Sequence, residues 1–129
     1  CKMVAEKNKI KFKFNSYFPI RSLNLMRGVL VAEEDGIKDQ YINKIFNAIW
    51  SDGLNLNDEE VLTKVLKNID INPKTFLLRA QSQNIKDQLR VKTNEAFKKG
   101  VFGAPTFVVK DKIFWGQDRL QYAIAESVK

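Results

Sequence analysis

The chain has 129 residues, 22 of them Lys or Arg and 15 Asp or Glu, for a net charge of +7, with no histidine and a single cysteine, Cys1. That length suits one domain able to keep a real core, and no apolar run approaches the ~20 residues of a membrane-spanning helix. One cysteine excludes an internal disulfide framework and fits a reducing, cytoplasmic setting, while the lack of histidine excludes the usual zinc sites and Ser-His-Asp or Cys-His nucleophiles.

The opening "CKMVAEKNKIKFKF" carries five lysines, Lys2, Lys7, Lys9, Lys11 and Lys13, without the apolar stretch and cleavage site of a signal peptide. A start at Cys1 rather than Met leads us to expect a natural beginning further upstream. In "KIKFKF" the alternation of Ile10, Phe12 and Phe14 with lysines predicts a half-buried strand or turn whose polar side stays wet. The competing reading is a basic arm that meets phosphates, a contact of low specificity.

Helices follow. In "RSLNLMRGVLVAEEDG", Leu23, Met26, Val29 and Leu30 recur at helical spacing between Ser22 as N-cap and Gly36 as stop. The acids of "AEEDG" read as a solvated helix end rather than a metal site. "IKDQYINKIFNAIWSDG" places Ile42, Ile45, Phe46 and Ile49 on one stripe, with Tyr41, Phe46 and Trp50 read as core aromatics. In "NDEEVLTKVLKN", Asn57 stands three residues before Glu60 as a capping box. Asn72-Pro73 starts another helix with Pro at N1, and "SQNIKDQLRVKTNEAFKKG" predicts a long one with Ile85, Leu89 and Phe97 inward and Gly100 as the residue after its end.

Beyond Gly100 the period changes. Residues 106–109 and 113–115 read as two strands joined by a Lys-Asp turn, and "QDRLQYAIAESV" as a final amphipathic helix with Leu120, Ile124 and Val128 inward. The domain division is therefore a helical part, residues 1–99, with the remnant of a preceding helix at 1–9, and a C-terminal ββα part, residues 100–129. A two-stranded hairpin is not stable alone, so the shortage of strands is itself informative.

Two features of "GVFGAPTFVVKDKIFWGQDRL" suggest a site. At Ala104-Pro105 a cis bond is cheap, and a cis proline entering a strand turns the preceding peptide groups toward an extended ligand; a trans proline ending the loop is the simpler alternative. At "WGQDRL" the free N–H groups of a helix start attract a carboxylate while Asp118 can hold an ammonium; capping of its own helix by Asp118 is the alternative.

Taken together, "GVFGAPTF", "FWGQDRL" and the earlier "FPIRSLNLMR" closely resemble the 2-hydroxychromene-2-carboxylate isomerases, which stand with kappa-class glutathione S-transferases in the DsbA-like branch of the thioredoxin fold. The resemblance runs from about residue 11 to 120. It implies an α/β thioredoxin-like fold with a helical insertion, of which this chain, mostly α with a C-terminal hairpin and helix, is the later part. It also implies glutathione as cofactor, with Ala104 and Pro105 at its cysteinyl part and Trp115, Gly116, Gln117 and Asp118 at its γ-glutamyl end. Phe18, Pro19 and Arg21 would wall a pocket for a small aromatic substrate. The family's reacting Ser or Cys lies upstream, so no catalytic residue is expected within this chain, which should be inactive alone.

Relatives commonly carry Asn where Arg21 stands; Arg21 either pairs with a substrate carboxylate or marks a different substrate. A homodimer is compatible with this picture. The alternatives are a DsbA-like thiol-disulfide oxidoreductase, which needs a Cys-x-x-Cys pair, and a small basic helical protein that binds nucleic acid or a partner. No nucleic-acid-reading motif is present to favour the latter.

Overall fold

The computed structural model describes residues 1–129 throughout. Seven α-helices are joined by one hairpin: α1 (Lys2–Lys7), α2 (Leu23–Glu34), α3 (Lys38–Trp50), α4 (Glu59–Lys67), α5 (Pro73–Ala80), α6 (Gln83–Lys98), β1 (Thr106–Val109), β2 (Lys112–Trp115) and α7 (Leu120–Ser127). They fall into two units, Cys1–Leu89 and Arg90–Lys129. The division lies inside α6, ten residues before the one expected from the sequence. No helix is long and apolar enough to cross a membrane.

In the first unit α2 packs against α3 and α5, and α4 touches both α3 and α5. What allows the close approach is Gly28, buried in the middle of α2. Tyr41 of α3 lies over it and donates its hydroxyl to the Leu25 carbonyl at 3.0 Å. A Cβ on Gly28 would collide with that hydroxyl and sit 2.7 Å from the ring. Phe76 of α5 closes on the same tyrosine at 5.3 Å between ring centroids. The core continues through Val31, Ala32, Ile45, Leu62, Val65 and Leu66, all buried. Burial pushes the Tyr41 hydroxyl pKa well above its ordinary value, because the phenolate has no water to solvate it.

The helix ends are set by local chemistry, with one exchange of roles. Asn72 caps α5 through Thr75 N–H at 3.2 Å, with Pro73 at its first turn. At α4 the N-cap is Asp58, whose Oδ1 accepts from Glu60 N–H at 2.9 Å, rather than Asn57. Asn57 has a stronger claim elsewhere, accepting the Arg21 backbone N–H at 2.8 Å. Ser22 precedes α2 without making a side-chain cap. The acids after α2 are engaged: Arg79 reaches Asp35 at 2.8 Å and Glu34 at 2.9 Å, and both, Asp35 most, raise its pKa.

Several expectations give way to the observed packing. The stripe of α3 is Tyr41, Ile45, Ala48 and Ile49, so Phe46 lies off it and is 61% exposed. On α6 Phe97 sits about 120° around the helix from the buried Ile85 and is 78% exposed. "KIKFKF" forms no strand, since the only sheet is β1 with β2. It is a loop tied to the end of α3 by Lys13 N–H to the Trp50 carbonyl at 2.6 Å and by Ser51 Oγ to the Lys11 carbonyl at 2.9 Å.

In the second unit α6 ends at Lys98 and is followed by Gly100, whose φ of 82° only glycine adopts freely. The hairpin pairs Phe107 with Phe114 and Val109 with Lys112 across a Lys110-Asp111 turn. Helix α7 packs on β1 and β2. Its inward positions are Ala123 and Glu126, so Leu120, Ile124 and Val128 are outward, the reverse of the expected face. That inward face carries an ion-paired cluster. Glu126 accepts Lys112 Nζ at 2.8 Å and Lys129 Nζ at 3.1 Å, and these lysines, Lys112 first, hold its carboxyl below the usual range.

Candidate functional site

The second unit assembles the loop before β1 and the start of α7 around one hydrogen bond. Gly116, at φ 107° and ψ 149°, donates its N–H to the Pro105 carbonyl at 3.0 Å. A left-handed φ and a tight space both demand glycine here, because a Cβ would sit 2.6 Å from Asp118 Oδ1. Gln117–Arg119 then form a single 3₁₀ turn, closed by Arg119 N–H to the Gly116 carbonyl at 3.1 Å, that leads into α7.

Asp118 does not cap this turn or α7 with its side chain. Its carboxylate is exposed, with Arg119 Nε at 3.7 Å as its neighbour. Across the Gly116–Pro105 bond, Ala104–Pro105 is cis and Ala104 is exposed. Neither the N–H nor the C=O of Ala104 pairs within the chain. This segment therefore presents a bare peptide group, the first N–H groups of a helical turn and a carboxylate whose nearest cation is an exposed neighbour.

Trp115 is half-exposed and rests on Gly103 and Phe102. Its ring lies 5.1 Å from that of Phe102, and a Cβ at Gly103 would come within 2.6 Å of the indole Nε1. Thr106 Oγ1 donates to the Gly103 carbonyl at 2.6 Å and fixes the turn. Sequence reasoning named Trp115 but missed Gly103 and Phe102. The signal was a glycine two residues before a proline, legible only once the indole is placed.

In the first unit Phe18 and Arg21 have different neighbours. Phe18 joins an aromatic cluster with Phe14 at 5.7 Å and Trp50 at 6.0 Å, and Phe12 stacks on Trp50 at 6.1 Å. The Phe18–Pro19 bond is cis as well. Beneath this loop Asn15 is fully buried, donating to the Ile49 and Leu54 carbonyls at 3.0 and 2.9 Å and accepting from Tyr17 N–H at 2.8 Å. Arg21 instead lines a separate cavity that neither Phe18 nor Pro19 touches.

The DSBA-like thioredoxin domain matches residues 1–125. The chain belongs to that family. Within it, the 2-hydroxychromene-2-carboxylate isomerase of Sphingobium xenophagum is 25% identical over 118 residues, 92% of this chain and 60% of its own. The protein of the same name from Pseudomonas sp. (strain C18) is 28% identical over 116 residues, 90% of this chain and 54% of its own. A solved 2-hydroxychromene-2-carboxylate isomerase superposes with a TM-score of 0.84 over 96% of this chain and 60% of that one, at 23% identity. The fold is thus DsbA-like thioredoxin, and the chain spans no more than about 60% of the length of these relatives.

Proposed function

We propose that the chain is the C-terminal portion of a glutathione-dependent isomerase or transferase of the 2-hydroxychromene-2-carboxylate isomerase type, acting on conjugated aromatic carbonyl compounds. Similarity to proteins of that name supports the class. The observation that carries the glutathione reading is the unpaired Ala104 peptide, joined through the Gly116–Pro105 hydrogen bond to the turn that bears Asp118.

The donor set fits a γ-glutamyl tripeptide. Ala104 offers one N–H and one C=O, the pair an extended peptide needs. The first N–H groups of the Gln117–Arg119 turn suit the γ-glutamyl carboxylate, and Asp118 suits its ammonium. Trp115, held over Gly103, gives the tripeptide an apolar wall. Glutathione, when bound, supplies the thiol nucleophile for reversible addition to the conjugated carbonyl. The chain's own residues bind and orient it; the group that acts on the sulfur belongs to a segment preceding this chain. The Phe14, Phe18 and Trp50 cluster, bounded by Pro19, serves as the aromatic-substrate wall.

Retention on glutathione-agarose against retention on immobilised duplex DNA tests this reading. We expect retention by the first, eluted by free glutathione and reduced in Asp118→Asn. Retention by DNA alone, lost with added salt, would replace it with a basic nucleic-acid-binding protein.

A further inference from the structure

Residues 2–17 combine positive charge with apolar side chains that the fold leaves in water. Five lysines, Lys2, Lys7, Lys9, Lys11 and Lys13, stand against one acid, Glu6. Lys11 pairs with Asp52 at 3.0 Å; the other four are exposed and have no acidic partner within the chain. Among them Met3 is 82% exposed, Ile10 60% and Tyr17 52%.

The local fold holds these side chains outward. Ala5 is the buried residue of α1, and Met3 and Lys7 each stand about 160° around the helix from it. The outer face of α1 thus carries an apolar and a cationic side chain one turn apart. Lys9, at φ 55°, then reverses the chain, and Ile10 N–H returns to the Ala5 carbonyl at 2.9 Å. The loop beyond is tied to the end of α3 by the Lys13 N–H and the Lys11 carbonyl, and its far end by the buried Asn15. The segment is a fixed surface rather than a free arm, so docking it costs little ordering entropy.

Charge decides what covers such a surface. An ordinary protein face, with acids and bases mixed, leaves the four lysines unmatched. An anionic phospholipid surface meets all of them and takes apolar side chains at the depth of its headgroups. We propose that residues 2–17 dock this chain on an anionic lipid bilayer. Met3, Ile10 and Tyr17 enter the boundary between headgroups and acyl chains, and Lys2, Lys7, Lys9 and Lys13 meet lipid phosphates and carboxylates. The lysine stems lie against the same apolar layer while their ammonium groups stay in water. Single-stranded nucleic acid also attracts lysines, but the aliphatic Met3 and Ile10 give a base no ring to stack on. The inference is independent of the glutathione reading, since every residue it uses lies in the first unit.

The test is co-sedimentation of the 129-residue chain with phosphatidylcholine vesicles, plain or containing about 30% phosphatidylserine, at physiological salt. Binding to the anionic vesicles is expected, with at least about fiftyfold weaker binding to the neutral ones. Lys2→Gln, Lys7→Gln and Lys9→Gln together should lower partitioning about a hundredfold, at roughly fivefold per lysine. A variant of equal net charge, Lys64→Gln with Lys98→Gln and Lys99→Gln, should bind within about threefold of the parent. Met3→Ser with Ile10→Ser should lower vesicle binding about tenfold and leave retention on immobilised poly(dT) unchanged. All substituted positions are exposed, and an unchanged circular dichroism spectrum confirms that each variant is folded. The proposal is overturned by equal binding to neutral vesicles, by equal losses in the two lysine variants, or by undiminished vesicle binding in the Met3 and Ile10 variant. Retention on poly(dT) without vesicle binding would overturn it in favour of nucleic acid.

Discussion

The two units bury their apolar side chains in opposite ways. The first, residues 1–89, has a continuous core from Leu25 through Tyr41, Leu66 and Phe76 to Ile85. In the second, residues 90–129, only Ala123 and Glu126 are buried, while Phe97, Phe102, Trp115, Tyr122, Ile124 and Val128 are exposed. The helical unit is organised by what it hides; the hairpin unit is held by four strand pairings, the Gly116–Pro105 bond and the Glu126 ion pairs. Exposed apolar surface of that extent belongs to elements that bind something, and the bare Ala104 peptide lies among it.

The strongest way to break the contrast is to unfold the helical unit from within. Asn15→Leu strands the Ile49 and Leu54 carbonyls without their donor, and a loss of about 2–5 kcal/mol in urea unfolding is expected. A loss under about 1 kcal/mol would mean that those carbonyls find other partners.

Gly28→Ala comes next. It forces Tyr41 and Phe76 away from α2, and overpacking of this kind costs about 1–3 kcal/mol. Gly36→Ala meets no neighbouring atom but must hold φ at 73°, so its cost should be the smaller, about 1 kcal/mol. Equal costs would show that α2 tolerates displacement and that the core is looser than its burial implies.

Hydrogen exchange sharpens the comparison. Amides of α2 and α3 should exchange at least about a hundredfold more slowly than those of β1 and β2, as the difference in buried contacts requires. Uniform protection across both units would remove the contrast.

The smallest effects are in pH. Glu126 has its pKa lowered by Lys112 and Lys129, so its contribution is fully present above the ordinary carboxylate range of about 4 and is lost as pH falls through the lowered value. Tyr41 is shifted upward, so its contribution is present below the ordinary phenol value of about 10 and is lost at still higher pH. Far-UV circular dichroism should report acid loosening of the hairpin unit and alkaline loosening of the helical unit. Glu126→Gln should remove the first transition and leave the second.

Much of this was legible where the decision is local. The Asn72-Pro73 start, the Gly100 stop and the hairpin with its Lys-Asp turn follow from residue chemistry within a few positions. Where two residues compete, tertiary structure decided: Asn57 and Asp58 can each cap α4, and the Arg21 N–H drew Asn57 away. Alternation in "KIKFKF" suggested a half-buried strand or turn, but a strand needs a paired neighbour, and here Trp50 supplies one carbonyl to Lys13 N–H and an aromatic face to Phe12 and Phe14. Asn15 gave no periodic signal because its role is to satisfy two distant carbonyls. Of the site, the sequence pointed to Ala104 and Asp118, while the different neighbours of Phe18, an aromatic cluster, and of Arg21, a leucine-lined cavity, could be seen only in the fold.

The most direct test of the account is an NMR titration of the chain with S-methylglutathione and with its analogue lacking the γ-glutamyl amino group. Glutathione recognition by the bare peptide and the helical turn predicts saturable shifts confined to residues 102–106 and 115–119, weakened by Asp118→Asn and by loss of the amino group. Shifts of equal size with the deaminated analogue, or none in those segments at tens of millimolar ligand, would contradict it.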